Sequence, residues 1–174
     1  MYGKRAVALR QIIMTKLSSH TDELIAVLSK VKTELAGEIE TCAKKMTETV
    51  SRGGMIIAMG NGGSAADAQH IAAEFVGRYK INRRGLPALA LNVNTSTITS
   101  IGNDFGYDEV FALQIEAFAK KDDLIIAIST SGNSANVIKA VEKARARGCY
   151  IVGLLGGTGG KLKPMVDLPI VIPT

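Results

Sequence analysis

Beyond Gly53-Gly54 the chain alternates short, unbroken apolar runs with stretches of helical spacing, and few folds accept that pattern. The runs at 55–59, 88–92, 124–129, 150–155 and 168–172 are apolar but for Asn92 and Ser129 at the ends of two of them, as strands buried on both faces require. Between them, 64–79, 95–101, 108–119 and 133–147 read as helices. Parallel neighbours need a long crossover, and a helical crossover winds right-handed over the sheet. The expected core is therefore a five-stranded parallel sheet covered on both faces, a flavodoxin-like three-layer αβα sandwich.

The first fifty residues obey a different period. They contain no proline and two glycines, Gly3 and Gly37. Leu24, Leu28, Val31, Leu35, Ile39, Cys42, Met46 and Val50 are spaced by three or four, which is a helical stripe. Two helices are expected, the first starting near Lys4, with a break around 33–37 and an end at Gly53-Gly54. A stripe this long exceeds what one short sheet can cover, so the segment reads as an assembly element. The 174 residues thus divide into oligomerisation helices (1–52) and an α/β core (53–174) within one domain.

Composition narrows the partners. With 47% hydrophobic and 21% charged residues the chain can build a core, and no apolar run approaches the ~18 residues of a membrane span. Cys42 and Cys149 are too few for a disulfide framework. Without a secretory signal, a cytoplasmic protein with reduced thiols and no membrane partner is expected. The net charge is +5, densest at Arg78, Lys80, Arg83 and Arg84. That run is either a solvated loop after a helix or a positive rim for an anionic metabolite. Nucleic acid is not expected, because there is no Trp and only 5% aromatic residues to stack bases.

Ligands of such sheets bind outside the carboxyl ends of the strands. One loop there is Gly60-Asn61-Gly62-Gly63-Ser64, with Ser64 the expected N-cap of a helix whose N–H groups attract anions. It satisfies G-x-G-x-x-A, but the acidic residue a dinucleotide site needs is missing, since the second strand ends in Asn92, Val93 and Asn94. No nucleotide cofactor is expected. The second loop, Ser129-Thr130-Ser131-Gly132-Asn133-Ser134, holds four hydroxyls, more than one cap uses and suited to a phosphate monoester. On the helix after the first loop, His70 and Glu74 are four apart on one face, with Asp67 and Arg78 extending the stripe. Such a pair can bind a divalent metal or move protons.

These segments, with Ala68-Gln69-His70-Ile71-Ala72-Ala73-Glu74, Gly77-Arg78-Tyr79, Ile101-Gly102-Asn103-Asp104-Phe105-Gly106 and Ala135-Asn136-Val137-Ile138-Lys139-Ala140, occur in the order of one family. From about Arg10 onward the chain resembles the phosphoheptose isomerases of the sugar-isomerase (SIS) domain family. The resemblance implies the SIS fold, a homotetramer with N-terminal helices between subunits, and active sites at subunit boundaries. It implies conversion of sedoheptulose 7-phosphate to D-glycero-D-manno-heptose 7-phosphate, toward heptose of lipopolysaccharide or capsule.

Carried over by residue, Ser64, Ser129, Thr130, Ser131 and Ser134 would bind the phosphate and chain hydroxyls. Asn61, Gly62, Gly63, Arg78, Asn103 and Asp104 would complete the sugar site. Glu74 would be one acid/base group, and His70 and Glu74 two ligands of a zinc ion, one per subunit. Family members continue past the last strand into a helix bearing a Gln and a second His, whereas this sequence ends at Pro173-Thr174. A longer native chain, completing the site beyond Thr174, is the expectation. Two other classes remain in view: a non-catalytic SIS protein associating with the replication initiator, and a sugar-phosphate-sensing module. Retention of Glu74 and Gly63 favours the enzyme.

Overall fold

The computed structural model describes the backbone of residues 2–173 and the side chains of residues 12–173. Five strands form one parallel sheet: β1 (Ile56–Gly60), β2 (Ala88–Ala90), β3 (Leu124–Ser129), β4 (Tyr150–Gly156) and β5 (Leu168–Ile172). Their order is β2-β1-β3-β4-β5, the flavodoxin-like arrangement. The helices are α1 (Tyr2–Glu34), α2 (Ala36–Ser51), α3 (Gly63–Val76), α4 (Thr95–Asp104), α5 (Ala112–Phe118) and α6 (Ala135–Ala146). Short 3₁₀ turns span Tyr107–Glu109 and Gly160–Met165.

Alternate residues of each strand serve opposite cores, which is why the runs are almost continuously apolar. Ile57, Met59, Ile125, Ala127, Ile151 and Leu155 meet Phe111, Ile115, Val137 and Val141 from the α5 and α6 side. Ile56, Ala58, Leu124, Ile126, Val152 and Ile170 meet Cys42 of α2 and Ala68 and Ala72 of α3. Each fully buried Ile or Leu contributes about 1.5–3 kcal/mol relative to exposure. Both cysteines are free and buried, and burial, with Asp123's charge adding to it, pushes the Cys149 thiol up to about 11.

Several expected boundaries move, α4 running to Asp104 rather than 101 among them. The helix predicted to reach 79 stops at Val76, capped by Gly77, so Arg78 and Tyr79 lie beyond it rather than on its stripe. The stretch 108–119 divides into the turn at Tyr107–Glu109 and the separate α5. The second strand is three residues long instead of five, because its register with β1 ends at Ala90 and the chain turns away as an edge.

The N-terminal stripe is also less uniform than its periodicity suggests. Leu35, Cys42, Met46 and Val50 close one face of the sheet, whereas Leu24, Ile25 and Leu28 are more than half exposed. The helical break falls at Leu35, between α1 and α2. Among the described residues, no helix is long and apolar enough to cross a membrane.

Candidate active site

In a 2-1-3-4-5 sheet the chain departs in opposite directions from β1 and β3, and a crevice opens at their carboxyl ends. Both candidate loops stand there. The first runs from Gly60 into α3 and the second from Ser129 into α6.

The first loop is built differently from expectation. Gly62, not Ser64, is the N-cap of α3, at φ 56°, with no side-chain cap. Ser64 and Ala65 donate their N–H groups to the carbonyls of Asn61 and Gly62, at 3.0 and 3.1 Å. Glycine reaches this left-handed backbone without a Cβ penalty, so the Ser64 hydroxyl is not needed as a cap. It lines the neighbouring cavity instead.

In the second loop the hydroxyls divide. Ser129 is buried; its Oγ accepts from the Gly132 N–H at 3.1 Å and lies 3.1 Å from Ser134 Oγ. Ser131 Oγ accepts from the Asn133 N–H, and Thr130 lines the same cavity as Ser64. The loop is braced by the turn after β4, where Leu162 N–H donates to Gly132 O at 3.0 Å and Lys161 N–H to Asn133 Oδ1 at 3.1 Å. That turn carries no side-chain motif, and the sequence reading missed it.

Asn136 was also missed as a site residue. It is 3% exposed and exchanges two amide hydrogen bonds with Asn61, each 2.9 Å, across 75 residues of sequence. The Tyr107 hydroxyl donates to Asn61 Oδ1 at 3.3 Å, bringing the turn after Asn103 and Asp104 to the same place. Asn103 donates to Asp104 Oδ1 at 2.7 Å, both exposed at the end of α4. Asn61 is thus a strut between the two loops as well as a candidate sugar contact. Asn136→Asp should put two oxygens face to face and cost about 1–3 kcal/mol for the lost buried donor. A lower melting temperature and weaker sugar-phosphate binding check this.

His70 and Glu74 meet as the helical spacing predicts, Nε2 to Oε1 at 3.2 Å. Glu74 Oε2 is buried and has no hydrogen-bond partner among the described residues. Such an atom is costly unless something pairs with it. Two cavities share His70, Ile71 and Leu154: one of about 560 Å³ reaching Ser64 and Thr130, and one of about 500 Å³ reaching Glu74 and Tyr79. They form a trough along α3, each part within the size range of metabolite sites. Arg78 lies past the helix end, exposed.

Zinc fits these residues only in part. Glu74, with one oxygen beside His70 and the other orphaned, and His70 itself supply two donors, but no three His, Cys, Asp or Glu side chains come together among the described residues. An ordinary zinc site takes three or four protein ligands.

The SIS domain family model matches residues 19–156. The phosphoheptose isomerase of Geobacter sulfurreducens is 51% identical over 148 residues, 85% of this chain and 78% of that protein. Among solved structures, the phosphoheptose isomerase of Neisseria gonorrhoeae superposes with a TM-score of 0.88 at 39% identity, over 93% of this chain and 86% of that one. That of Francisella tularensis gives 0.89 at 33% identity, over 92% and 86%. With sequence, fold and family model in agreement, the chain belongs to the SIS domain family, among its phosphoheptose isomerases.

Proposed function

We propose that this chain isomerises sedoheptulose 7-phosphate to D-glycero-D-manno-heptose 7-phosphate, with Glu74 as the base at the sugar carbon. The observation that carries the residue assignment is Glu74 lining a trough that continues to the hydroxyl loop, with one carboxylate oxygen buried and unpartnered among the described residues. Ser64 and Glu74 are ten residues apart on α3, roughly 15 Å along its axis at ~1.5 Å per residue. An open seven-carbon chain with a terminal phosphate suits such a site when laid lengthwise.

The chemistry assigns the ends. Moving the carbonyl from C2 to C1 takes a proton from C1, forms an enediol and returns a proton to C2. Glu74 handles the carbon-bound proton. Phosphate anchored by Ser64, Thr130, Ser131 and Ser134 holds C1 against it, and Asn61, Asn103, Asp104 and Arg78 contact the chain. A second group moves protons between the two oxygens. Zinc, where bound, would be held by His70 and Glu74 with further ligands, and would polarise the sugar oxygens.

An isomerase assay on sedoheptulose 7-phosphate tests the function; turnover supports it, and binding without turnover favours the sensing module. Ser131→Ala and Ser134→Ala should each weaken sugar-phosphate binding by about 1–3 kcal/mol, read by titration calorimetry. Parental affinity in both variants would place the phosphate elsewhere.

The proposed assembly is a homotetramer in the cytoplasm, built on the exposed apolar positions Leu24, Ile25 and Leu28 of α1. Sedimentation at micromolar concentration should give an oligomer; a monomer would remove this reading. The product serves as a heptose precursor for lipopolysaccharide or capsule.

A further inference from the structure

Four cations crowd the segment after α3, and one of them, though exposed, is tied by its guanidinium to backbone carbonyls. The Arg83 guanidinium reaches back onto the helix it follows. Its Nη2 donates to Glu74 O at 2.6 Å, and its Nη1 to Phe75 O at 2.8 Å, Gly77 O at 3.2 Å and Arg84 O at 2.9 Å. Leu86 N–H also donates to Phe75 O, at 2.9 Å, so the returning loop is tied to the same turn.

The physical reason lies in where α3 ends. The last carbonyls of a helix have no partner within it and carry the negative end of its dipole. No side chain inside α3 is basic in its last turn. A planar fork of five donors satisfies several carbonyls at once, which an ammonium group cannot match. One of those carbonyls belongs to Glu74 itself. Arg83 also lines the part of the trough that holds the Glu74 side chain.

We propose that Arg83 is a positioning residue for the isomerase, fixing the terminal turn of α3 and thereby aiming the Glu74 carboxylate along the trough. The inference rests on the assignment of Glu74 as the base. It separates Arg83 from Arg78, which stands past the same helix end as a candidate sugar contact.

The test compares kcat and KM for Arg83→Ala, Arg83→Lys and Glu74→Gln in the full chain, with melting temperatures alongside. Arg83→Ala should lose kcat on the order of 10²-fold, the effect of a displaced reacting group, with KM little changed. Arg83→Lys should fall between Ala and the parent. Millimolar guanidinium should restore kcat in Arg83→Ala and not in Glu74→Gln, a response that lost stability alone does not produce. Parental kcat in Arg83→Ala beside an inactive Glu74→Gln would overturn the proposal and leave the base assignment standing. An active Glu74→Gln would overturn the base assignment, and this inference with it. Should Arg83→Ala fail to fold, Arg83→Lys decides: reduced kcat at parental melting temperature supports the role, and parental kcat overturns it.

Discussion

Glu74→Gln is expected to lower the isomerisation rate by about 10²–10⁴ while sugar-phosphate affinity changes little. The amide keeps the shape of the side chain and its place beside His70, but it cannot accept the C1 proton. In the parent, one carboxylate oxygen lies 3.2 Å from His70 Nε2 and the other is buried without a partner. That second oxygen has nothing in the fold to hold it, so its loss as a base should be felt in turnover rather than in stability. Steady-state kinetics and calorimetry on one preparation separate the two quantities. Where zinc is bound, metal content should fall as well. Wild-type turnover in this variant would show that the carbon-bound proton is moved by another group.

Gly132→Ala is expected to damage both stability and phosphate binding. Gly132 sits at φ 65°, and an added Cβ would meet the backbone of Gly159 in the turn that braces the loop. The left-handed backbone alone costs an alanine roughly 1–2 kcal/mol, and forcing two packed backbones apart adds about 1–3. Gly53→Ala is the matched control. It has φ 83° with nothing among the described residues within 4 Å of the new Cβ, so it should show the backbone part only. Denaturant unfolding reads the difference, and equal losses in the two variants would mean that the contact with Gly159 does not matter. The binding loss should be specific to Gly132, because Ser131 and Ser134 flank it.

Much of this architecture is written locally. Strand positions at 124–129 and 168–172 agree with β3 and β5, because a nearly continuous apolar run leaves few other structures open. The meeting of His70 with Glu74 needs only the 3.6-residue turn. Both loops follow strands, so their place at one end of the sheet follows from parallel topology. The exceptions share a physical cause. Ser64 has good capping chemistry, yet the positive φ of Gly62 places the cap two residues earlier. Arg78 has the right spacing for the stripe, but α3 stops before reaching it.

The sequence by itself therefore determined the class of fold, the place of the two candidate loops and the meeting of His70 with Glu74, since each depends on spacing within one element or one turn. Only the tertiary structure decided which loops become neighbours, and through what. The Asn61–Asn136 pair spans 75 residues, and the Gly132–Leu162 bond joins loops leaving different strands. The Arg83 fork closes on carbonyls, which no side-chain pattern records. Periodicity reports the face a residue occupies relative to its own helix or strand. It carries no information on the strand order that brings two such faces together, because that order is set by crossovers and packing summed over the whole chain.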